Sequence, residues 1–163
     1  MKSKNEKIVY FAAAIRGDRV IAEETIENIV SYIKNLGFTV LNEHVGAKDP
    51  IASFGDKIGK RKESLTAEDI EKQDISWLDK STHVIAEISG ASTGTGREIE
   101  YARTKGFFNK IPAKILCVYR KDREFYASPM IRGMTQDKYP NVKICSYENT
   151  KDLEKIINGF LEV

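Results

Sequence analysis

Short apolar runs alternate along the chain with stretches in which apolar residues recur at helical spacing. The apolar runs predict five strands, at residues 7–14, 38–42, 83–89, 114–119 and 142–147. The helical spacing predicts helices over about 20–36, from about 66, over about 96–105 and over 150–163. This alternation is typical of a parallel sheet flanked by helices. We therefore expect one α/β domain over residues 1–163, built on a five-stranded doubly wound parallel sheet of the Rossmann or flavodoxin type.

Two segments refine this picture. Residues 44–63 contain glycines, a proline and charges but no regular period, which predicts a long loop. A loop of that length in a compact domain usually has a function, such as covering a site. Thr66 and Asp69 have the spacing of a capping box and predict the start of the next helix. In a sheet of this type, ligands bind at the carboxyl ends of the strands.

Composition excludes several classes of protein. The 26 Lys and Arg residues nearly balance 24 Asp and Glu residues, which argues against a protein that coats nucleic acid. The chain has neither an N-terminal signal core nor the roughly 20 apolar residues of a membrane span. Cys117 and Cys145 lie in apolar runs, as core thiols do in a reducing compartment. His44 and His83 lack metal-ligand spacing. We expect a cytoplasmic protein (possible also in the nucleus of a eukaryote) with no metal site.

The segment after the third predicted strand carries the clearest chemical signal. Ser92, Gly94 and Gly96 form a small turn that opens a helix, and Glu98 follows. Free amide groups and the macrodipole make a helix N-terminus an anion site, so Glu98 would lie beside a bound phosphate. A glutamate in a first helical turn also occurs simply because it complements the dipole. On this segment alone both interpretations remain open.

Asp74 is the second candidate, because it falls on the apolar stripe that Ile70, Trp77 and Leu78 define. An inward carboxylate is unfavourable unless it is paired or protonated. Either the helix is rotated slightly and Asp74 lies at the edge of the stripe, or Asp74 lies in the crevice with a shifted pKa. Glu98 also points inward, because it shares with Ile99 and Ala102 the side of its helix that should face the sheet. Two inward carboxylates near a phosphate turn favour glycosidic chemistry, with one as nucleophile and the other as acid or base.

The end of the first strand is the third candidate region. Tyr10 precedes a run of small residues, which let backbone approach a ligand, and Arg16 is a bidentate phosphate donor. The segment lacks the G-x-G-x-x-G pattern of a dinucleotide site. The small residues could equally reflect close packing of helix on strand. The binding candidates here are Ala13, Ala14, Ile15, Arg16, Gly17, Asp18 and Arg19.

Six short motifs follow one another along nearly the whole chain. They are Tyr10-Phe11 with Ile15-Arg16-Gly17, Glu43-His44-Val45, Gln73-Asp74 with Trp77-Leu78, Ala86-Glu87, Ser92-x-Gly94-x-Gly96-x-Glu98, and Ser128-x-Met130-Ile131-Arg132-Gly133. Each motif alone is weak, but the ordered set is specific. It resembles the 2'-deoxynucleoside 5'-phosphate N-hydrolases of the nucleoside 2-deoxyribosyltransferase superfamily, and it implies a single domain of that type.

The resemblance implies an N-glycosidase acting on 2'-deoxynucleoside 5'-monophosphates. Glu98 would attack C1' of the sugar and form a covalent glycosyl-enzyme, while Tyr10 orients the attacking carboxylate. Asp74 would assist departure of the base and then activate water. The resemblance implies no cofactor. Its only implied ligand is a small-molecule deoxynucleotide, with no nucleic-acid or membrane partner.

The resemblance also implies binding residues. Ser92, the amides of Gly94 and Gly96, and the turn at residues 15–17 would hold the 5'-phosphate, and His44 would line the substrate. Ser128, with Pro129 and Met130, would reach the site of a neighbouring subunit, which implies a homodimer.

Some residues depart from the pattern of that family. Ala13-Ala14 stand where Gly-Ser is common, which removes one hydroxyl that would bind phosphate. Arg97 replaces an aromatic residue, either facing solvent or adding attraction for phosphate, and Pro129 stands where alanine is usual. These departures bear on base and phosphate preference.

Three alternative functions remain. A nucleoside 2-deoxyribosyltransferase would pass the sugar to another base and prefer unphosphorylated substrates, which fits poorly with Arg16, Ser92 and Ser128 as phosphate donors. In the phosphoribohydrolases that release cytokinins, the glutamate comes one residue later than Glu98 does here. A non-catalytic nucleotide-sensing module on the same fold would have little use for two inward carboxylates.

Overall fold

Five parallel strands form the central sheet of the computed structural model, which describes residues 6–15, 17, 20, 21 and 23–163. The strands are β1 (Ile8–Ala12), β2 (Thr39–Leu41), β3 (His83–Glu87), β4 (Lys114–Arg120) and β5 (Val142–Tyr147). They lie in the order β2-β1-β3-β4-β5, and every neighbouring pair is parallel. The predicted α/β fold with a five-stranded doubly wound sheet is confirmed, in the flavodoxin-like order.

Helices cover both faces of this sheet. They are α1 (Glu23–Asn35), α2 (Pro50–Ile58), α3 (Ala67–Lys80), α4 (Thr93–Thr104), α5 (Pro129–Arg132) and α6 (Thr150–Leu161). Side chains of a strand alternate between the faces, so Phe11 of β1 packs with α1 and α6 while Tyr10 packs with α3 and α4. The strand order reverses between β1 and β3, and the crevice of such a sheet opens at that point.

The segment predicted as a loop, residues 44–63, contains α2, so that prediction was wrong. Asp49 caps the helix by accepting a hydrogen bond from the Ala52 amide (3.0 Å), and Pro50 occupies its first turn. Gly59 ends it in the left-handed region (φ 69°). These are ordinary start and stop signals. They were missed because nine residues are too few for a clear helical period. Helix α5 was also not predicted.

Helix α4 begins earlier than the predicted start at residue 96. Ser92 is the N-cap, its hydroxyl accepts a hydrogen bond from the Thr95 amide (3.2 Å), and the helix runs from Thr93. Glu98 therefore lies in the second turn. The helix dipole acts mainly on the first turn, so simple dipole complementation does not explain Glu98.

Helix α3, which carries Asp74, is fixed at both ends. The predicted capping box is present, with Thr66 and Asp69 bonding each other's backbone amides. At the other end the Lys105 ammonium donates to the carbonyls of Leu78 (2.5 Å) and Ser81 (2.6 Å). Lys105 is only 1% exposed. It therefore acts as a buried C-terminal cap, which sequence pattern did not indicate.

Replacing this cap tests how firmly α3 is held. Lys105→Met should lower the free energy of unfolding by about 2 kcal/mol, because it leaves buried carbonyls without a charged donor. Lys72→Met, at an exposed position of the same helix, should change it by less than about 0.5 kcal/mol. Urea unfolding of both variants measures the difference, and equal values would show that the Lys105 bonds contribute no net stability.

In the described part of the chain, no helix has the length and apolar character needed to cross a membrane.

Candidate active site

One cavity lies at the carboxyl ends of β1 and β3, and a second adjoins it between α3 and the start of α4. The larger has a volume of about 720 Å³ and the smaller about 360 Å³. Both are lined by the residues that separate them, which are Ile51, Ile70, Asp74, Gly94 and Glu98. The two carboxylates that the sequence singled out therefore lie together, at the junction of the cavities.

Tyr10 links Glu98 to the sheet. Its ring is completely buried on β1, and its hydroxyl donates a hydrogen bond to Glu98 Oε1 at 2.7 Å. Burial, and then the charges of Glu98 and Asp74, raise the pKa of Tyr10 well above its usual value. The phenol therefore stays protonated and remains a hydrogen-bond donor.

Burial also shifts both carboxylates. It raises the pKa of Asp74 to about 7, opposed by a hydrogen bond from Tyr10 and assisted by the charge of Glu71. It raises the pKa of Glu98 to about 7, again opposed by Tyr10, with the charge of Asp74 raising it further and Arg97 lowering it. Asp74 therefore does not lie at the solvent edge of its stripe.

The two carboxyl groups are not equivalent. A second negative charge beside the first is unfavourable, so near neutral pH the pair retains a proton. Tyr10 opposes the pKa rise of both groups, but its hydroxyl donates its 2.7 Å hydrogen bond to Glu98 Oε1, which favours the ionised form of Glu98. Oδ1 of Asp74 is buried and has no hydrogen-bond partner within the described residues, which favours a neutral acid there. Near neutral pH the arrangement therefore favours an ionised Glu98 next to a protonated Asp74.

The end of the larger cavity away from Asp74 is lined by two backbone turns and Ser128, and we call this part the cradle. Ser92, Gly94 and Gly96 line the cradle at the start of α4. Ala13, Ile15 and Gly17 line it from the end of β1, and Ser128 lines it beside Tyr126 and Ile131. A Cβ at Gly17 would lie 2.2 Å from the Ala91 carbonyl oxygen, so only glycine lets these two turns touch. The cradle suits an anion.

Ser128 lines the larger cavity of its own chain, whereas the resemblance implies that it reaches the site of a neighbouring subunit. Ala14 is buried but lines neither cavity, and Pro129 and Met130 lie outside both, with Met130 83% exposed. The candidates Arg16, Asp18 and Arg19 lie outside the described residues.

His44 does not line either cavity, contrary to expectation. The side chain of Phe54, from helix α2, packs edge-on against the His44 ring with centroids 5.1 Å apart, and the Trp77 ring lies 5.6 Å from His44. Nδ1 of His44 is buried with no hydrogen-bond partner in the described chain. Burial lowers the pKa of His44 to about 4, so the ring is neutral within this aromatic cluster.

Other residues that line the cavities were not predicted from the sequence. Ile51 lines both cavities but belongs to α2, so it was lost with that helix. Arg97 lines the smaller cavity and pairs with Glu71 (2.6 Å) at its exposed rim, on α4 and α3 respectively. Arg97 therefore lies at the rim of the smaller cavity and does not line the larger one.

Comparisons with known proteins agree with this architecture, although no protein-family model matches the chain. The human 5-hydroxymethyl-dUMP N-hydrolase is 33% identical over 157 residues, which cover 94% of this chain and 79% of the human one. A Nematostella vectensis protein named 2'-deoxynucleoside 5'-phosphate N-hydrolase 1 is 32% identical over 155 residues, which cover 94% of this chain and 95% of that protein. The structure of the Clostridium botulinum CMP N-glycosidase shares the fold, with a TM-score of 0.63 and 19% identity. The match covers 94% of this chain and 99% of that one.

The class defined by these findings is that of N-glycosidase enzymes. At this identity and coverage, the chain belongs to the 2'-deoxynucleoside 5'-phosphate N-hydrolase family.

Proposed function

We propose that the chain hydrolyses the N-glycosidic bond of 2'-deoxynucleoside 5'-monophosphates, releasing the free base and 2-deoxyribose 5-phosphate. The observation that carries this proposal is the Tyr10–Glu98 hydrogen bond (2.7 Å) beside Asp74, where a cradle for an anion meets a second cavity. Membership of the family supports the substrate class.

The proposed reaction proceeds in two steps. The Glu98 carboxylate attacks C1' as the bond from C1' to the base breaks, and Asp74 gives its proton to the departing base. Water then attacks C1' and the ester to Glu98 breaks, while the Asp74 carboxylate takes the proton from that water. Both steps develop positive charge at C1' that the nearby carboxylate stabilises. The absence of a 2'-hydroxyl makes that charge easier to form.

The 5'-phosphate would occupy the part of the larger cavity lined by Ser92, Gly94, Gly96, Ser128, Ile15 and Gly17. Because the 5'-phosphate is remote from C1', binding it positions the sugar but takes no part in bond breaking. The base would then extend toward the smaller cavity. The scheme uses only groups of the chain and water.

A substrate panel tests the proposal. Each deoxynucleoside and ribonucleoside is supplied with and without a 5'-phosphate, and free base is quantified by chromatography. We expect release of base from deoxynucleoside monophosphates, with a clear preference over the free deoxynucleosides. A preference for the free deoxynucleosides, with transfer to an added second base, would identify a deoxyribosyltransferase instead. Release of base only from ribonucleotides would overturn the deoxynucleotide assignment.

Ser128→Ala tests the phosphate cradle. The variant should raise KM for the monophosphate by about tenfold, as expected for the loss of one hydrogen bond to a charged group, and change kcat little. Ser146→Ala, at an exposed position of β5, is the matched control and should leave both constants unchanged. Steady-state kinetics measure the split, and an unchanged KM would remove Ser128 from the phosphate site.

We also propose a homodimer, supported by the exposed apolar side chains Phe125 (88%) and Met130 (83%) close to Ser128. Light scattering gives the oligomeric state. Mixing inactive Glu98→Gln subunits with Ser128→Ala subunits then shows where Ser128 acts. If Ser128 serves the partner's site, mixed dimers contain one intact site and recover the wild-type KM. If it serves its own chain, mixing restores nothing.

A further inference from the structure

Glu87 is a buried carboxylate that the proposed reaction does not use. It is the last residue of β3 and only 5% exposed. It alternates with Ala86, which packs on the α3 and α4 face, so it lies on the opposite face of the sheet from Tyr10. It lines neither cavity of the candidate site. Glu87 therefore has no route to direct contact with the sugar.

Its hydrogen-bond partners are Ser89, on the segment that leads from β3 toward the larger cavity, and Tyr147 of β5. The two carboxylate oxygens accept the Ser89 amide (3.2 and 3.3 Å) and the Ser89 hydroxyl. The Tyr147 hydroxyl of β5 donates to Oε1 (3.3 Å). Burial raises the pKa of Glu87 to about 6, opposed by these donors from Ser89 and Tyr147 and by the charge of Arg120. Because these donors come from two separate parts of the chain, the buried Glu87 carboxylate joins those parts to each other.

Ser89 carries the connection further. It is fully buried, and its hydroxyl oxygen accepts the Arg120 amide of β4 (2.8 Å) while its carbonyl accepts the Arg123 guanidinium (3.3 Å). One residue earlier, the Ile88 amide donates to the Val118 carbonyl (2.8 Å). The chain leaving β3 is therefore tied to β4 directly and to β5 through Glu87.

The residues that follow Ser89 lead directly into the cradle. Gly90, Ala91 and Ser92 line the larger cavity, and Gly17 packs directly against the Ala91 carbonyl. The direction in which the chain leaves Ser89 consequently sets the positions of both phosphate-facing turns. A shift of the Ser89 backbone would move the Ser92 cap and the Gly17 contact together.

We propose that Glu87 is a positioning residue for the 5'-phosphate, acting through Ser89 on the turn at residues 90–92 and, through Ala91, on the turn at Gly17. The proposal rests on the proposed function, because it assumes that this cradle binds the phosphate of the substrate. It assigns Glu87 no part in bond breaking. Its loss should therefore appear in phosphate recognition and leave attack at C1' intact.

Glu87→Gln tests the assignment, because glutamine keeps the shape but replaces one of the two acceptor oxygens with a donor. We expect KM for the deoxynucleoside monophosphate to rise about tenfold, as for a lost charged hydrogen bond, with kcat within twofold of wild type. Inhibition by inorganic phosphate should weaken by a similar factor. Hydrolysis of the unphosphorylated deoxynucleoside should keep its wild-type kcat/KM.

Further variants keep the test decisive if Glu87→Gln folds poorly. Ser89→Ala removes the hydroxyl that joins Glu87 to β4, and Tyr147→Phe removes only the 3.3 Å bond. Ser89→Ala should reproduce the rise in KM, and Tyr147→Phe should show a smaller one. Equal losses with and without the 5'-phosphate, or an unchanged KM, would overturn the positioning role. If the wild-type protein releases no base from deoxynucleotides, the proposed function fails first, and the two failures are distinguishable.

Discussion

Glu98→Gln is expected to lower kcat by at least about 10³-fold, because glutamine cannot form the ester to C1' that the proposed reaction requires. The substitution is nearly isosteric, and Tyr10 can still donate its hydrogen bond to the amide oxygen. Glu98 lies in the second turn of α4 and is not a cap, so the helix should be preserved. Rates of base release, measured together with thermal unfolding, separate loss of chemistry from loss of fold.

A neighbouring residue supplies the control. Glu100→Gln removes one carboxylate from the same helix at an exposed position, where Glu100 pairs only with Arg103 among the contacts described. It should keep activity within about twofold, as expected for a surface substitution. Residual activity of Glu98→Gln at a tenth of the wild-type rate would remove Glu98 as the nucleophile. It would favour direct attack by water instead.

The covalent step has its own measurement. A 2'-fluoro deoxynucleoside monophosphate destabilises the positive charge at C1' and should slow both steps, which lets the glycosyl-enzyme accumulate. Mass spectrometry of the digested protein should then find the added sugar phosphate on the peptide that contains Glu98. Its appearance on a peptide that contains Asp74 would reverse the two roles.

Sequence pattern predicted the parts of the molecule that repeat a simple period. The apolar runs located all five strands, and the inward helical phase of Asp74 and Glu98 predicted that both side chains face the crevice, where both line the larger cavity. Both succeed for the same reason, since burial on a strand or helix imposes a regular spacing. Ser92 was found as a binding candidate, but its role as N-cap was missed, which displaced the predicted start of α4 by three residues.

Contacts between distant parts of the chain could not be predicted in this way. Lys105 reaches the end of α3 across 24 or more residues, and Tyr147 reaches Glu87 across 60. Nothing local in the sequence distinguishes these side chains from solvated ones. His44 shows the opposite case, because the resemblance implies a substrate-lining position and gives no sign that the side chain packs against Phe54 of a helix too short to detect.

Asp74→Asn is expected to lower kcat by about 10²–10⁴-fold, the usual contribution of a general acid or base. Asparagine has nearly the same shape but can neither give a proton to the base nor take one from water. Glu68→Gln, at an exposed position of the same helix, is the control and should leave kcat unchanged. Wild-type turnover in Asp74→Asn would show that the base leaves without a proton from Asp74.

The pH profile distinguishes this role from a merely structural one. Wild-type activity should peak near pH 7, falling at lower pH as Glu98 gains a proton and at higher pH as Asp74 loses its own. Asp74→Asn should lose the alkaline decrease entirely. Its acid limb should move to lower pH, because the charge of Asp74 no longer raises the pKa of Glu98. A variant that kept the full bell shape would assign the alkaline limb to another group.

Stability should change in the opposite direction to activity. The native protein raises the pKa of Asp74 from 3.8 to about 7, so between those values the folded chain holds a proton that the unfolded chain has released. The contribution of Asp74 to the free energy of unfolding therefore falls as pH rises from about 4 to about 7 and is constant above that. Asparagine does not titrate, so Asp74→Asn should gain stability relative to wild type across this window and keep the gain at pH 8. Urea unfolding at pH 5 and pH 8 measures it. An equal difference at both values would mean that the Asp74 carboxyl is not desolvated in the folded protein, and the acid–base assignment would lose its physical basis.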